Sequence, residues 1–282
     1  MISLELGAVF GEPRRFFGNQ FVYAVITSRA RGLSVGVNMN PDQLCNFDCV
    51  YCEVRREPSK AGLKVDIAKL AHELIHILVM AQFKQLGDLE QFSRVPSDLM
   101  TLKEVALSGD GEPSLAENFH EIVSEVVRIR RLFPPFKLVL ITNGTGLNRP
   151  EVQRGLEELS ADDEIWIKLD AGREEFMHQI NGTRISIETV LNNIREVGKR
   201  RPVIIQSLFC LLEGHPPCEK EIDAYIGRLA QLKADGAQIP LVQIYSTSRT
   251  PARPGCKHLP LAGLSHIARR VRMETGLHAE VF

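Results

Sequence analysis

The chain has almost no excess charge of either sign. Its 34 Lys and Arg stand against 35 Asp and Glu, a formal net charge of -1. No overall field therefore draws it to nucleic acid or to an anionic membrane, although a local basic patch stays open. No apolar run approaches the roughly 20 residues needed to cross a bilayer. Met1-Ile2-Ser3-Leu4-Glu5-Leu6-Gly7 lacks the basic start and apolar stretch of a secretory leader, so a soluble cytoplasmic protein with no membrane partner is expected. No internal repeat, low-complexity tract or evident linker interrupts the 282 residues, which favours one domain. Six cysteines are too few for a disulfide scaffold, and with 44% hydrophobic residues a core can form without staples.

What is present is concentrated. Cys45-Asn46-Phe47-Asp48-Cys49-Val50-Tyr51-Cys52 places three thiols within eight residues. Structural zinc sites and electron-transfer clusters are normally closed by four protein ligands. Three ligands leave a position open, and an open position on a metal is where chemistry occurs. Zinc is the other reading, but zinc knuckles favour paired Cys-x-x-Cys with a second pair downstream. A chance cluster of core cysteines has no reason to crowd this loop.

Around the loop, strand and helix patterns alternate. Apolar positions at helical spacing run from Val65 to about Gln85. Short apolar runs predict strands at Leu33–Met39, Glu104–Leu107, Lys137–Thr142, Glu164–Leu169, Val203–Leu208 and Leu241–Tyr245. Helical patterns lie near Glu117–Arg131, Arg149–Leu159, Ser186–Gly198, Glu219–Ala234 and Leu261–Glu274. Six β-α units in series imply a parallel sheet, either doubly wound or an incomplete barrel, with functional loops at the C-terminal ends of the strands. Residues 1–34 read as an N-terminal arm with a short strand near Phe21–Ile26, residues 35–245 as the core, and residues 246–282 as an extension packed on it. Asn143-Gly144-Thr145 and Asn181-Gly182-Thr183 read as turns.

The second predicted core strand ends in Leu107-Ser108-Gly109-Asp110-Gly111-Glu112-Pro113. Glycines after a strand let backbone approach a ligand closely, and Glu112 suits an ammonium group. An ordinary Gly/Pro turn is the alternative.

Cys45-x-x-x-Cys49-x-Tyr51-Cys52 resembles the signature of radical S-adenosylmethionine enzymes, and the aromatic residue before the third thiol sharpens the likeness. Ser108-Gly109-Asp110-Gly111-Glu112-Pro113 resembles that superfamily's Gly-Gly-Glu-Pro segment, with Asp110 replacing its first glycine. Gly36-Val37-Asn38, Thr142-Asn143-Gly144, Lys168-Leu169-Asp170-Ala171 and Val242-Gln243-Ile244-Tyr245 with Arg249 resemble one branch, the wyosine-synthase-like enzymes. The resemblance spans roughly residues 30 to 255. It implies an α/β fold, a partial (β/α)6 TIM-type barrel. It further implies a [4Fe–4S] cluster on Cys45, Cys49 and Cys52, and S-adenosylmethionine as cofactor. The cofactor's contacts would be Tyr51, Asp110, Gly111, Glu112, Thr142, Asn143 and Gln206, with Lys168 and Asp170 in the reaction pocket. The implied partners are a substrate, either a tRNA base or a small molecule or peptide, and an electron donor such as flavodoxin or ferredoxin. Archaeal and eukaryotic wyosine synthases carry additional N-terminal cysteines; here none precedes Cys45.

Cys210, Cys218 and Cys256 follow the last two predicted core strands, where they read either as three unrelated thiols, one of them in the core, or as ligands of a second iron–sulfur cluster at the same mouth. His72-Glu73-Leu74-Ile75-His76 matches His-Glu-x-x-His, but Val79 and Gln82 replace the glycine and third histidine of the longer zinc-protease pattern. Off the apolar stripe of its helix, it reads better as a solvated face. Arginine and lysine gather at Arg128, Arg130 and Arg131, at Lys199, Arg200 and Arg201, and at Arg269, Arg270 and Arg272, with no aromatic interleaving to suggest RNA binding. A radical enzyme is therefore the leading expectation. A zinc metallohydrolase and a non-catalytic iron–sulfur RNA-binding module are the alternatives from other classes.

Overall fold

The computed structural model describes residues 16–57, 61–252 and 254–282. The first fifteen residues of the expected N-terminal arm, Arg14 and Arg15 among them, lie outside the described residues. The strands are β1 Val22–Thr27, β2 Gly32–Asn38, β3 Leu102–Ser108, β4 Lys137–Thr142, β5 Glu164–Lys168, β6 Ile204–Leu208, β7 Cys210–Leu212, β8 Val242–Tyr245, β9 Cys256–His258 and β10 Ala279–Val281. The helices are α1 Ile67–Gln82, α2 Phe119–Arg130, α3 Pro150–Glu157, α4 Glu174–Asn181, α5 Ile187–Arg200, α6 Glu219–Ala234 and α7 Leu261–Thr275.

One sheet has the strand order β1-β2-β3-β4-β5-β6-β8-β10. From β2 onward that order follows the chain without reversal. A doubly wound sheet reverses at a switch point, so the singly wound, barrel-type alternative is the one adopted. β1 runs antiparallel to β2, whereas β2 with β3, β3 with β4, β5 with β6, β6 with β8 and β8 with β10 pair in parallel.

The chain divides into two compact units. The described residues of the first fall within Met1–Leu44, Lys60–Leu140 and Arg154–Asp163. There, all seven residues of β2 are buried, as a strand covered on both faces requires. Helix α1 starts at Asp66, whose carboxylate accepts the Lys69 N–H at 3.0 Å, and buries Leu70, Leu74, Ile77 and Leu78. Each such fully buried aliphatic side chain contributes roughly 1.5–3 kcal/mol.

The second unit contains Cys45–Ser59, Ile141–Gln153 and Glu164–Phe282. Its parallel strands β5, β6, β8 and β10 are apolar at the centre, with Ile165, Trp166, Ile167, Ile205, Val242 and Ile244 all buried. Helix α5 begins at Ser186, which accepts the Glu188 N–H at 3.2 Å. A separate antiparallel pair, β7 with β9, places Cys210 opposite His258 and Leu212 opposite Cys256. Among the described residues, no helix is long and apolar enough to cross a membrane.

Candidate active site

The cysteine loop is anchored from two sides within the second unit. On one side, Asp48 N–H donates to the Asn181 carbonyl at 2.8 Å and Val50 N–H to that of Ile180 at 3.0 Å, both at the end of α4. On the other, the turn after β4 reaches the loop through side-chain amides. Asn143 Nδ2 donates to Asn46 Oδ1 at 2.8 Å, and Asn46 Nδ2 donates to Thr145 Oγ1 at 2.8 Å. The turn itself is tight: Gly144 has φ +80°, a left-handed conformation that glycine adopts at no steric cost, and its N–H donates to Thr142 Oγ1 at 3.0 Å. Thr142 and Asn143, expected as cofactor contacts, thus make hydrogen bonds that shape the loops.

Cys45, Cys49 and Cys52 are all partly exposed. Two of the sulfurs face N–H donors: Phe47 N lies 3.4 Å from Cys45 Sγ, and Asn181 Nδ2 lies 3.4 Å from Cys49 Sγ. Desolvation, followed by the negative charge of Asp170, pushes the Cys49 thiol up to about 12. A bound cation would offset both effects, because ligation requires the thiolate. Among the described residues, no three His, Cys, Asp or Glu side chains are gathered closely enough to hold a single metal ion. Three thiols on one short loop are a donor set that suits a cluster, which takes its thiolates one to each of three irons.

Beside the loop lies a buried polar network on the ends of β5, β6 and β8. Tyr51 Oη donates a short hydrogen bond to Asp170 Oδ2, and Asn181 Nδ2 donates to the same oxygen at 2.8 Å. The other oxygen, Oδ1, accepts Leu208 N–H at 2.8 Å and pairs with Lys168 Nζ at 3.2 Å. Lys168 Nζ also donates to Tyr245 Oη at 2.7 Å, Tyr245 Oη donates to Gln206 Oε1 at 3.3 Å, and Gln206 Nε2 donates to Gln243 Oε1 at 3.0 Å. Lys168 lies between two aromatic faces, 4.9 Å from the Tyr51 ring centroid and 5.0 Å from that of Tyr245. Burial opposes its charge, but Asp170 and Tyr245 outweigh burial and hold the ammonium above its ordinary pKa. Strand alternation predicts Lys168 and Asp170 on one face, and the structure places them so.

Asn181 was not legible as a site residue. Its Nδ2 reaches Cys49 Sγ, Tyr51 Oη and Asp170 Oδ2, the second at 3.2 Å. The signal available was an asparagine next to Met177 and Ile180 at helical spacing, polar in a buried stripe. The reading of Asn181-Gly182-Thr183 as a turn is correct for Gly182, which caps α4 at φ +56°, and it hid the eight-residue helix before it.

In the first unit, Glu112 is buried, donates its N–H to the Leu44 carbonyl at 2.8 Å and accepts Ser114 N–H on Oε1 at 2.9 Å. A Cβ added at Gly111 would lie 2.0 Å from Leu44 O, so only glycine fits beside that carbonyl. Asp110 forms a reciprocal pair with Asn38, accepting Nδ2–H at 2.9 Å and donating its own N–H to Oδ1 at 2.9 Å. That pairing gives Asp110 a structural use where the superfamily's segment has glycine.

The three later cysteines separate into a pair and a single residue. Cys210 and Cys256 are buried and hydrogen-bond to each other, and burial pushes both thiols up. Cys218 is exposed at the N-cap of α6, with Arg173 Nη2 4.0 Å from its sulfur. In the His-Glu-x-x-His segment, His72 and His76 are exposed as expected, but Glu73 turns inward. It is buried and accepts the N–H groups of Gln20, Phe21 and Val22 at 2.8 to 3.1 Å. A carboxylate committed to three backbone donors is a structural clamp, not a general base for a zinc-bound water.

The sequence profile of the Radical SAM superfamily matches residues 39–226. UPF0026 protein slr1464 of Synechocystis sp. is 33% identical over 177 residues, which is 62% of this chain and 58% of that protein. The chain covers less than two thirds of each curated relative it matches. A structure of TYW1 with a lysine-pyruvate adduct bound superposes with a TM-score of 0.57 at 15% identity, covering 94% of this chain and 82% of the other. SuiB of Streptococcus suis, bound to S-adenosylmethionine, gives a TM-score of 0.57 at 14% identity, covering 85% of this chain and 48% of the other. At these identities the likeness is one of fold, and it is the partial-barrel fold expected from the motifs. With its profile match extending over well more than half of its length, the chain belongs to the Radical SAM superfamily of enzymes.

Proposed function

We propose that this chain is a radical S-adenosylmethionine enzyme in which Cys45, Cys49 and Cys52 hold a [4Fe–4S] cluster. The observation that supports this most directly is the set of three partly exposed thiols on one anchored loop, beside a buried network that runs through Lys168. When bound, cluster and cofactor supply a 5′-deoxyadenosyl radical that abstracts hydrogen from the substrate. The chain's own residues then have separable tasks. Glu112, a buried carboxylate at the end of β3, is assigned the methionyl ammonium. Tyr51, Thr142 and Asn143 hold the shape of the loops that carry the cofactor groups, with Asp110 and Gly111 doing so for the turn after β3. Asp170 fixes Lys168 as an ammonium ion, and Gln206 orders Tyr245, so that Lys168 presents positive charge to an electron-rich group of the substrate. A Schiff-base role would need the neutral amine, which this counter-ion disfavours.

The test is anaerobic reconstitution with iron and sulfide, followed by dithionite and S-adenosylmethionine. The wild-type protein should form 5′-deoxyadenosine, and Cys45→Ala, Cys49→Ala and Cys52→Ala should each lose cluster absorbance and product. Product retained in those variants would overturn the assignment. RNA affinity without any product would support the non-catalytic module instead. The same preparation counts metal: about four irons per chain fits one cluster, and about eight would support a second one involving Cys210, Cys218 and Cys256.

A further inference from the structure

Asn181 is a buried polar side chain that touches both a cysteine sulfur of the loop and the Tyr51–Asp170 pair. It is 1% exposed, and its Nδ2 points at Cys49 Sγ from 3.4 Å. Its backbone carbonyl independently holds the loop through Asp48 N–H at 2.8 Å. The side-chain amide is therefore not required to anchor the loop. What it adds is an N–H donor aimed at one thiol sulfur, opposite the negative charge of Asp170 on the same thiol.

Resting on the cluster assignment above, we infer that Asn181 is a positioning residue whose amide N–H, donated to Cys49 Sγ, raises the reduction potential of the cluster. The physical reason is charge. Reduction adds one electron, supplied by a flavodoxin- or ferredoxin-class donor, and makes the cluster and its thiolates more negative. An N–H dipole aimed at a ligating sulfur stabilises that form more than the oxidised one, which is why hydrogen bonds to sulfur tune cluster potentials. Asp170 acts in the opposite sense. Asn181 Nδ2 also donates to the Asp170 carboxylate at 2.8 Å, so the same amide partly offsets the negative charge beside the sulfur.

The experiment is redox titration of the reconstituted protein without S-adenosylmethionine, monitored by electron paramagnetic resonance of the reduced cluster. Asn181→Leu keeps volume and neutrality but removes the donor, and Asn181→Asp keeps shape but replaces the donor with a carboxylate. Both should retain the wild-type iron content and show midpoint potentials lower than wild type, with Asn181→Asp the lower of the two. Unchanged potentials in variants with full clusters would overturn the inference. So would loss of the fold in both variants, since that would make Asn181 a structural residue. Failure of the wild-type protein to form a [4Fe–4S] cluster would instead defeat the underlying assignment, and iron and sulfide analysis reads that separately.

Discussion

Single residues divide by how local their task is. The three loop thiols stand out in the sequence because their spacing alone proposes a ligand set. Lys168 and Asp170 could be paired because side chains two apart share a strand face. Asn181 could not be placed, because its partners Cys49 and Tyr51 lie more than a hundred residues earlier and nothing local marks the meeting. Gly111 is the clearest single-residue test in the first unit. Any Cβ there would lie 2.0 Å from Leu44 O and 2.6 Å from Leu44 C, both backbone atoms that cannot swing aside. Gly111→Ala should therefore break the Glu112 N–H bond to Leu44 and cost roughly 2 kcal/mol, the scale of overpacking in a tight site. Denaturant unfolding measures it, and an unchanged midpoint would show that the turn relaxes freely.

At the scale of elements, the six core strands were legible as short apolar runs, and their helices from 3.6-residue periodicity. The elements that escaped are short: β7, β9 and β10 have three residues each, and α4 has eight. Three residues carry no period, so pairing partners far away in the chain define such strands. An element-scale prediction concerns Asp163, which ties the end of α2 to the start of β4. Its carboxylate is buried, pairs with Arg130 Nη1 at 2.6 Å and accepts Leu138 N–H and Ser160 N–H at 2.7 Å each. Burial pushes this carboxyl up, but the guanidinium and the N–H donors outweigh burial and hold it below its ordinary value. A depressed folded-state value means stability that is complete above the ordinary carboxylate pKa and is lost as pH falls from there towards the folded one. Asp163→Asn should cost about 3 kcal/mol at neutral pH, as expected when one partner of a buried pair is removed. Urea unfolding should show the gap between variant and wild type narrowing between about pH 5 and pH 3. A gap that is constant with pH would mean that the carboxylate is not the source.

For the molecule as a whole, charge bears on the choice between a tRNA base and a small molecule. The formal net charge is -1, so RNA would have to be held by local groups. Four of the nine cations in the basic groupings visible in the sequence form ion pairs in the fold. Arg128 pairs with Glu125, Arg130 with Asp163, Lys199 with Glu196, and Arg270 with Glu219, Asp223 and Glu274. Cations already paired release few counter-ions on meeting phosphate, so RNA affinity should be weak and only mildly dependent on salt, with a log–log slope shallower than about -2. The proposed pocket offers the Lys168 ammonium ion amid buried amides and hydroxyls, which suits a compact electron-rich substrate. The expected outcome follows for the reconstituted enzyme offered fractionated, deuterium-labelled cell extract. Deuterium should appear in 5′-deoxyadenosine from the small-molecule fraction, and Lys168→Met should abolish that transfer while leaving substrate-independent cleavage of S-adenosylmethionine within a few-fold of wild type. Transfer from the RNA fraction alone would reverse the choice, because a tRNA substrate would then have to be recognised by shape and base contacts that the paired arginines do not provide.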